Sequence, residues 1–349
     1  MATRKRSTRS HVKSGGSGKA RRKVATDPGV AADVPVVAIG ASAGGLDPIG
    51  RLLAQMPADS GLAFVVIQHL DPTSKSLLPE LLGRHTALEV QPAKDGIRLM
   101  PNEVYVITPG VYLSISSGKL HFSPAQTGKG ARMPIDLFLH SLAAENSNRG
   151  IGIIMSGTGT DGAEGLKAVK DAGGLALVQD PKEAQHDGMP RNAIIMARPD
   201  YVLQVGDMPG VLTRYVAHNY VKTRQPAMSL EEPDAAGRLP LQAFVDLLKS
   251  STGKDFGLYK PGTLQRRTER RMALNGIQSW TDYLALLRKS PAETDALVKD
   301  LLINVTGFFR DSETFAALVG PLTALLRRHA AEQRSIASHR GRDRRGSNN

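Results

Sequence analysis

Four short runs of almost unbroken apolar residues constrain the fold of this chain more than any other feature of its sequence. They read VPVVAIG, AFVVIQH, GIGIIMSG and LALVQD. Strands buried on both faces of a parallel sheet show this pattern, because neither face turns side chains to water. Helical patterns flank the runs at 46–55, 76–85, 135–146 and 163–172. The alternation predicts an α/β fold with a doubly wound, mainly parallel sheet and helices on both faces.

Two further patterns complete the predicted architecture. VYVITPG and YLSISSGKLHFS alternate apolar and polar residues around Ser-Gly, which predicts a hairpin or a small antiparallel appendage. Apolar spacings of three and four after residue 240 predict a small all-α module. We therefore divide the chain into a disordered basic leader (1–33), the α/β domain (34–222), a linker rich in Pro, Ala and charge (223–240), an all-α domain (241–318), and a helix end with a disordered basic tail (319–349).

The net charge of +12 lies in the two ends of the chain. Residues 1–25 carry nine Lys or Arg and no acid, whereas the central part of the chain is nearly neutral. Because blocks of like charge are usually solvated, we expect no specific nucleic-acid partner. The chain has no Cys and no cluster with metal-ligand spacing, so we predict no disulfides and no metal site. It also has no apolar run long enough to span a bilayer and no secretory signal, and we expect a cytoplasmic protein.

The first apolar run ends in the glycine-rich turn GASAGG, which holds Ser42. Such a turn between a strand and a helix can cradle a dinucleotide phosphate, as in short-chain dehydrogenases, or can expose a serine nucleophile. A short-chain dehydrogenase needs a Tyr followed four residues later by Lys, and none of the seven tyrosines has one. Ser42 is also suited simply to cap the helix that starts near Leu46. We favour the nucleophile.

Two other candidate residues follow strands that end at the same edge of the predicted sheet. His69 ends the run AFVVIQH, and Asp161 follows GIGIIMSG in the loop TGTDGAEG. Ligands and catalytic groups gather at the carboxyl edge of a parallel sheet. A serine, a histidine and an aspartate there supply a nucleophile, its base and a carboxylate that orients the base. His69 is equally a candidate for a structural histidine and Asp161 for a turn or helix cap, and His186 is the reserve candidate for the base.

The segment from about residue 34 to 205 resembles the catalytic domain of the CheB-type chemotaxis protein-glutamate methylesterases. The resemblance rests on IGASAGG, QHLDP, IIMSGTGTDGAEGL and QDPKEAQHDGMPRNAI, in that order. It implies Ser42 as nucleophile, His69 as base and Asp161 as its orienting partner. It also implies hydrolysis of γ-glutamyl methyl esters, and deamidation of glutamines, on cytoplasmic helices of methyl-accepting chemoreceptors. The resemblance further implies an esterase that needs no cofactor.

The sequence departs from the family's pattern at several points. Ala43 stands where many members have Thr, and Thr158 where members often have Met. The Thr158 backbone N–H remains suited to stabilise an oxyanion. In this phosphorelay family a receiver domain normally precedes the catalytic domain, whereas the leader here is too short to be one. We therefore do not expect control by phosphorylation of the chain itself.

Residues 241–318 resemble the N-terminal region of CheR-type receptor methyltransferases. The resemblance rests on FGLYKPGTLQRRTERRM and LLINVTGFFRDSETF, and it implies that Asn304, Thr306 and Arg310 lie beside S-adenosylmethionine. No strand-like run follows, so we expect an incomplete methyltransferase that does not bind this cofactor. The first motif places four arginines on one predicted helix, which suits acidic receptor helices or a merely solvated face: Arg266, Arg267, Arg270 and Arg271.

The sequence thus leads to a ranked set of functions. A serine methylesterase of chemotaxis signalling comes first. A non-catalytic adaptor, docked on receptors through the arginine helix, is the second hypothesis. A nucleotide-binding oxidoreductase is the third.

Overall fold

The protein is described from a computed structural model, which covers residues 34–69, 76–124, 133–222 and 240–302. The predicted leader, all but the last residue of the predicted linker and the predicted basic tail lie outside the described residues.

Among the described residues, seven strands form one sheet in the order β3-β4-β2-β1-β7-β8-β9, and every pairing in it is parallel. The nine described strands, of which β5 and β6 lie outside this sheet, are β1 (Val36–Ala41), β2 (Ala63–Gln68), β3 (Glu89–Pro92), β4 (Glu103–Val106), β5 (Val111–Ser116), β6 (Lys119–Pro124), β7 (Gly150–Ile154), β8 (Leu175–Gln179) and β9 (Tyr201–Leu203). The four apolar runs became β1, β2, β7 and β8. Every residue of β1, β7 and β8 is buried, as strands covered on both faces must be.

The antiparallel prediction is confirmed in one part and wrong in the other. Strands β5 and β6 pair as an antiparallel hairpin. The run VYV, however, forms β4 and pairs in parallel with β2 and β3. The alternation in this run counts Tyr105 as an outward residue between Val104 and Val106, whereas all three are buried within the sheet. The Tyr105 hydroxyl donates to Glu103 and accepts from the Met100 N–H, which satisfies its polar atom there.

Helices cover both faces of the sheet, which confirms the predicted doubly wound α/β class. One face carries α1 (Leu46–Ala54), α2 (Leu78–Gly83), α6 (Met208–Ala217) and α7 (Asn219–Lys222), and the other carries α3 (Pro134–Asn146), α4 (Ala163–Ala172), α5 (Gly188–Ala197) and the hairpin. Helices α1 to α4 correspond to the four predicted helices, with ends that differ by two residues or fewer.

The strand order places a crevice between β1 and β7. From β1 the chain moves to β2 on one side, whereas from β7 it moves to β8 on the other side. Ligands of open α/β sheets bind where the strand order reverses, outside the carboxyl ends of the strands. Ser42 follows β1 and Asp161 follows β7. The topology therefore brings two of the predicted site residues to the two sides of this crevice.

The C-terminal described residues, 240–302, form four helices of the predicted all-α module, whose predicted residues 303–318 lie outside the described residues. These helices are α8 (Pro240–Thr252), α9 (Pro261–Asn275), α10 (Trp280–Lys289) and α11 (Pro291–Leu302). They surround an apolar core of their own that includes Phe244, Phe256, Tyr283 and Leu297. Trp280, the one tryptophan of the sequence, packs edge-on against Phe244.

Helix α9 attaches this module to the amino edge of the sheet. Arg270 is fully buried and donates to the carbonyl of Gly174, just before β8, and to Asp200, just before β9. It also pairs with Asp300 of α11 at 2.8 Å. Although burial alone would raise the pKa of Asp200, Arg270 and Lys170 lower it below its usual value.

The prediction of one exposed basic face on α9 is therefore wrong. Arg267 is buried and donates to the carbonyl of Asp171, while Arg271 pairs with Glu293 inside the module. Arg266 is half-buried. Arg267, Arg270 and Arg271 thus serve internal contacts, with acceptors either at the amino edge of the sheet or within the all-α module. The arginine set is not available as the predicted receptor-docking face.

Arg270→Met should destabilise the protein by about 3–5 kcal/mol, because it leaves the carboxylates of Asp200 and Asp300 buried without their cation. Urea unfolding followed by Trp280 fluorescence measures this. The matched control is Arg191→Met, which removes an exposed pair with Asp187 and should change stability by less than about 1 kcal/mol.

The difference between wild type and Arg270→Met should also depend on pH. Because the pKa of Asp200 is lowered in the folded state, its ion pair with Arg270 contributes fully to the free energy of unfolding at neutral pH. This contribution is lost as the pH falls below the unfolded-state pKa of about 3.9. The difference should therefore shrink in acid. A loss for Arg270→Met no larger than that of the control would contradict this account of the interface.

Candidate active site

Ser42 lies in a tight turn between β1 and α1. Its backbone N–H donates to the carbonyl of Ser156 at 2.9 Å, and its own carbonyl accepts from the N–H of Gly45. Gly44 has a φ of +72°, which favours glycine because a Cβ strains this conformation. The residue preceding α1 is Gly45, without a side-chain cap, so Ser42 does not cap this helix. Its hydroxyl is turned to another partner.

That partner is His69, the residue directly after β2. His69 Nδ1 lies 3.3 Å from Ser42 Oγ, and Nε2 lies 2.8 Å from Asp161 Oδ2. An ionised carboxylate only accepts hydrogen bonds, so Nε2 carries the proton of the neutral ring and Nδ1 is left to accept from the serine. About a third of the His69 side chain is exposed, whereas that of Asp161 is only 3% exposed. The ring thus links a buried carboxylate to a hydroxyl near the surface.

Asp161 is held by the N-terminus of α3. Its Oδ1 accepts from the N–H of Asp136 at 2.9 Å, and its Oδ2 accepts from the N–H of Ile135 at 3.1 Å. Free N–H groups and the positive end of the helix dipole make such a terminus a favourable place for a carboxylate. These contacts confirm the helix-cap alternative for Asp161. The same side chain caps α3 and contacts His69.

The loop after β7 presses against the serine turn, and this explains one glycine of the motif MSGTG. A Cβ placed on Gly157 would lie only 2.9 Å from the Cβ of Ser42 and would also meet the sulfur of Met189. Two alkyl carbons cannot approach so closely, so this position admits only glycine without a shift.

Ser156 is a site residue that sequence reasoning missed. It is fully buried, its hydroxyl donates to the carbonyl of Ala43, and it accepts from the N–H of His186. Its own N–H donates to the Gln179 side chain of β8. The loops after β1, β7 and β8 are joined through this one residue. Its place inside MSGTG, beside a run of small residues, was the available signal.

Among the remaining predicted catalytic and cofactor residues, only His186 lies within the described part of the chain. His186 contributes its backbone, and within the described residues its ring has no hydrogen bond to Ser42 or Asp161. Asn304, Thr306 and Arg310 lie outside the described residues. Across 34–69, 76–124, 133–222 and 240–302, no group of three metal-ligating side chains is arranged to hold an ion. Over the same ranges, every helix is too short or too polar to cross a membrane.

Comparison with known proteins gives two family matches. Residues 37–212 match the family model described as CheB methylesterase, and residues 240–302 match the one described as CheR methyltransferase, all-alpha domain. The two matches coincide with the α/β domain and with the module of α8 to α11.

Individual relatives agree with these matches. An uncharacterised 104.1 kDa protein of Rhodobacter capsulatus is 34% identical over 71% of this chain and 28% of its own length. A putative protein-glutamate methylesterase/protein-glutamine glutaminase of Leptospira interrogans is 32% identical over 52% of this chain and 95% of its own length. The protein-glutamate methylesterase/protein-glutamine glutaminase of Syntrophotalea carbinolica is 33% identical over 50% of each. This chain therefore spans about a quarter of the first relative and half of the third.

Among solved structures, the CheB methylesterase catalytic domain of Thermotoga maritima is 30% identical. The match covers 51% of this chain and 97% of that one, with a TM-score of 0.47.

Gly157→Ala should destabilise the α/β domain by about 1–3 kcal/mol, since the added methyl group has to displace Ser42 or Met189. The matched control is Gly50→Ala in α1, where an added Cβ meets no atom within 4 Å. There alanine should raise stability by up to about 1 kcal/mol, because it lowers the entropy of the unfolded chain. Thermal unfolding followed by circular dichroism tests both. Equal effects of the two substitutions would contradict the close contact.

Proposed function

We propose that this chain, which belongs to the CheB methylesterase family, hydrolyses γ-glutamyl methyl esters with Ser42 as nucleophile. The observation that carries the proposal is the chain of contacts from Ser42 Oγ to His69 Nδ1 at 3.3 Å and from His69 Nε2 to Asp161 at 2.8 Å. Nucleophile, base and orienting carboxylate are thus within reach of one another, at the crevice where ligands of such sheets bind.

The first half of the reaction forms an acyl-enzyme. Ser42 Oγ attacks the carbonyl carbon of the ester while its proton moves to His69 Nδ1. The imidazolium that results keeps its Nε2–H on Asp161, whose charge stabilises it. The tetrahedral intermediate then expels the methoxy oxygen, which takes the proton from Nδ1 and leaves as methanol. The distance of 3.3 Å is long for this hydrogen bond, as is common when no substrate is bound.

Backbone N–H groups beside the serine are suited to stabilise the oxyanion. The N–H of the residue after the nucleophile serves this purpose in hydrolases with such a turn, and here that residue is Ala43. Thr158, next to Gly157, is the candidate for the second donor. Within the described residues, the N–H groups of Ala43 and Thr158 make no hydrogen bond, so both remain free for the oxygen.

The second half of the reaction repeats these steps with water. His69 Nδ1 takes a proton from a water molecule, which attacks the acyl carbon, and Ser42 leaves with that proton. The products are a glutamate side chain and the free enzyme. A glutamine side chain differs only in its leaving group, which departs as ammonia. The same residues therefore account for deamidation, which the names of the relatives in Leptospira and Syntrophotalea also include.

We take the substrates to be cytoplasmic helices of chemoreceptors, and the protein to act in the cytoplasm. The contacts that α9 makes with Gly174 and Asp200 lie at the amino edge of the sheet. Ser42 lies at the carboxyl edge, so this interface does not cover the serine. A receptor helix thus has to approach at the edge opposite to the module.

Ser42→Ala should abolish methanol release from methylated receptor membranes, with a fall in rate of about 10⁴-fold or more. Ser116→Ala, at an exposed end of the hairpin, is the matched control and should leave the rate unchanged. Wild-type protein that sediments with the receptors but releases no methanol would contradict the esterase and favour the adaptor. Undiminished release by Ser42→Ala would contradict the role of the serine.

His69→Gln should lower kcat by at least about 10²–10⁴-fold, because it removes both the acceptor of the serine proton and the donor to the leaving group. His186→Gln is the matched control, since the structure uses His186 through its backbone N–H. The rate of methanol release at saturating substrate measures both. The opposite ranking of the two variants would assign the base to His186.

A further inference from the structure

Helices α3 and α4 begin side by side. The N-terminus of each helix is capped by an aspartate that lies in the other helix or just before it. Asp161, two residues before α4, accepts from the N–H groups of Ile135 and Asp136 in the first turn of α3. In return, Asp136 Oδ1 accepts from the N–H of Gly165 in the first turn of α4, at 2.7 Å. The two aspartates therefore cap each other's helices.

Close contact between the two helices makes this exchange possible. A Cβ on Gly165 would lie 2.9 Å from both the Cα and the carbonyl oxygen of Asp136 and 2.6 Å from the Cβ of Leu139. The other glycine of this loop, Gly162, has a φ of +90° and faces Ile135. Glycine at both positions lets the start of α4 lie directly against α3. The carboxylate of Asp136 then reaches the N–H of Gly165, and the residue that precedes α4, Gly162, provides no side-chain cap of its own.

Burying the carboxylate of Asp136 at this place costs free energy, because it loses its hydration and lies near the charge of Asp161. Only 6% of it is exposed. Burial raises its pKa, and the nearby charge of Asp161 adds to that increase, while the N–H groups of Gly165 and Gly162 partly offset it. An apolar residue would avoid both penalties, but it would leave the N–H groups of α4 without an acceptor.

We propose that Asp136 is a positioning residue for the reaction: by capping α4 it fixes the loop that presents Asp161 to His69. This inference rests on the proposed hydrolase function, since it assigns Asp136 a role in the same site. Asp136 does not touch the serine or the substrate. It acts through Asp161, whose own oxygens are placed by the N–H of Asp136 and by the short connection to α4.

The test compares two substitutions of Asp136 in the full chain. Asp136→Asn keeps an acceptor oxygen at the position of Oδ1 and should retain kcat within about 3-fold. Asp136→Ser has a hydroxyl too short to reach Gly165, and Asp161 should become misplaced. A displacement of about 1 Å at a catalytic group can cost about 10²-fold in rate, so kcat should fall by 10- to 100-fold, with KM unchanged. Methanol release from methylated receptors gives both constants, and circular dichroism verifies folding.

A second readout does not need a substrate. The proton that His69 Nε2 donates to Asp161 is expected at low field in the proton NMR spectrum, because it is shared with a carboxylate. It should be present in wild type and in Asp136→Asn, and be shifted or absent in Asp136→Ser. Wild type that shows this proton but releases no methanol would contradict the proposed activity and leave the positioning role to be decided by the spectra.

Three results would overturn the positioning role. The first is Asp136→Ser with wild-type kcat. The second is Asp136→Ser with an unchanged His69 signal. The third is failure of both variants to fold, which would show that Asp136 supports the domain as a whole instead of the site.

Discussion

The rest of the site depends on the hydrogen bonds that the buried carboxylate of Asp161 accepts. This carboxylate accepts from two N–H groups of α3 and from the ring of His69, and it is almost fully shielded from water. A buried ionised carboxylate is tolerated only when such donors replace its hydration. Here the donors belong to a helix that packs on the sheet, so the position of Asp161 is fixed by the core itself. The orientation of His69, and through it the environment of Ser42, follows from this contact.

Much of the fold follows from the sequence because the strands are buried on both faces. Runs such as VVAIGA and GIGII have few alternatives to a parallel sheet, and the residues after each run then fall at one edge. The pattern therefore predicts Ser42, His69 and Asp161 at one edge of the sheet. It did not find Asp136 or Ser156, because each acts through hydrogen bonds with residues 23 or more positions away.

The arginines of α9 show where sequence patterns mislead. Arg-rich helices are usually exposed, and local spacing gave no sign that Arg270 is fully buried. Its partners Gly174 and Asp200 lie 96 and 70 positions away in the α/β domain, and only the tertiary structure brings them together. The module is thereby joined to the amino edge of the sheet, opposite to Ser42. The strand VYV was misassigned for a similar reason, since its place in the sheet is set by β2 and β3 and not by its own pattern.

The central claim is that Ser42 is a nucleophile activated by His69. An active-site-directed fluorophosphonate tests this most directly, because it phosphonylates a serine whose hydroxyl is activated by a base. The full chain would be treated with the reagent, digested, and mapped by mass spectrometry. We expect a single modified peptide that contains Ser42. Modification of other serines with Ser42 left intact, in protein that releases methanol, would contradict the account.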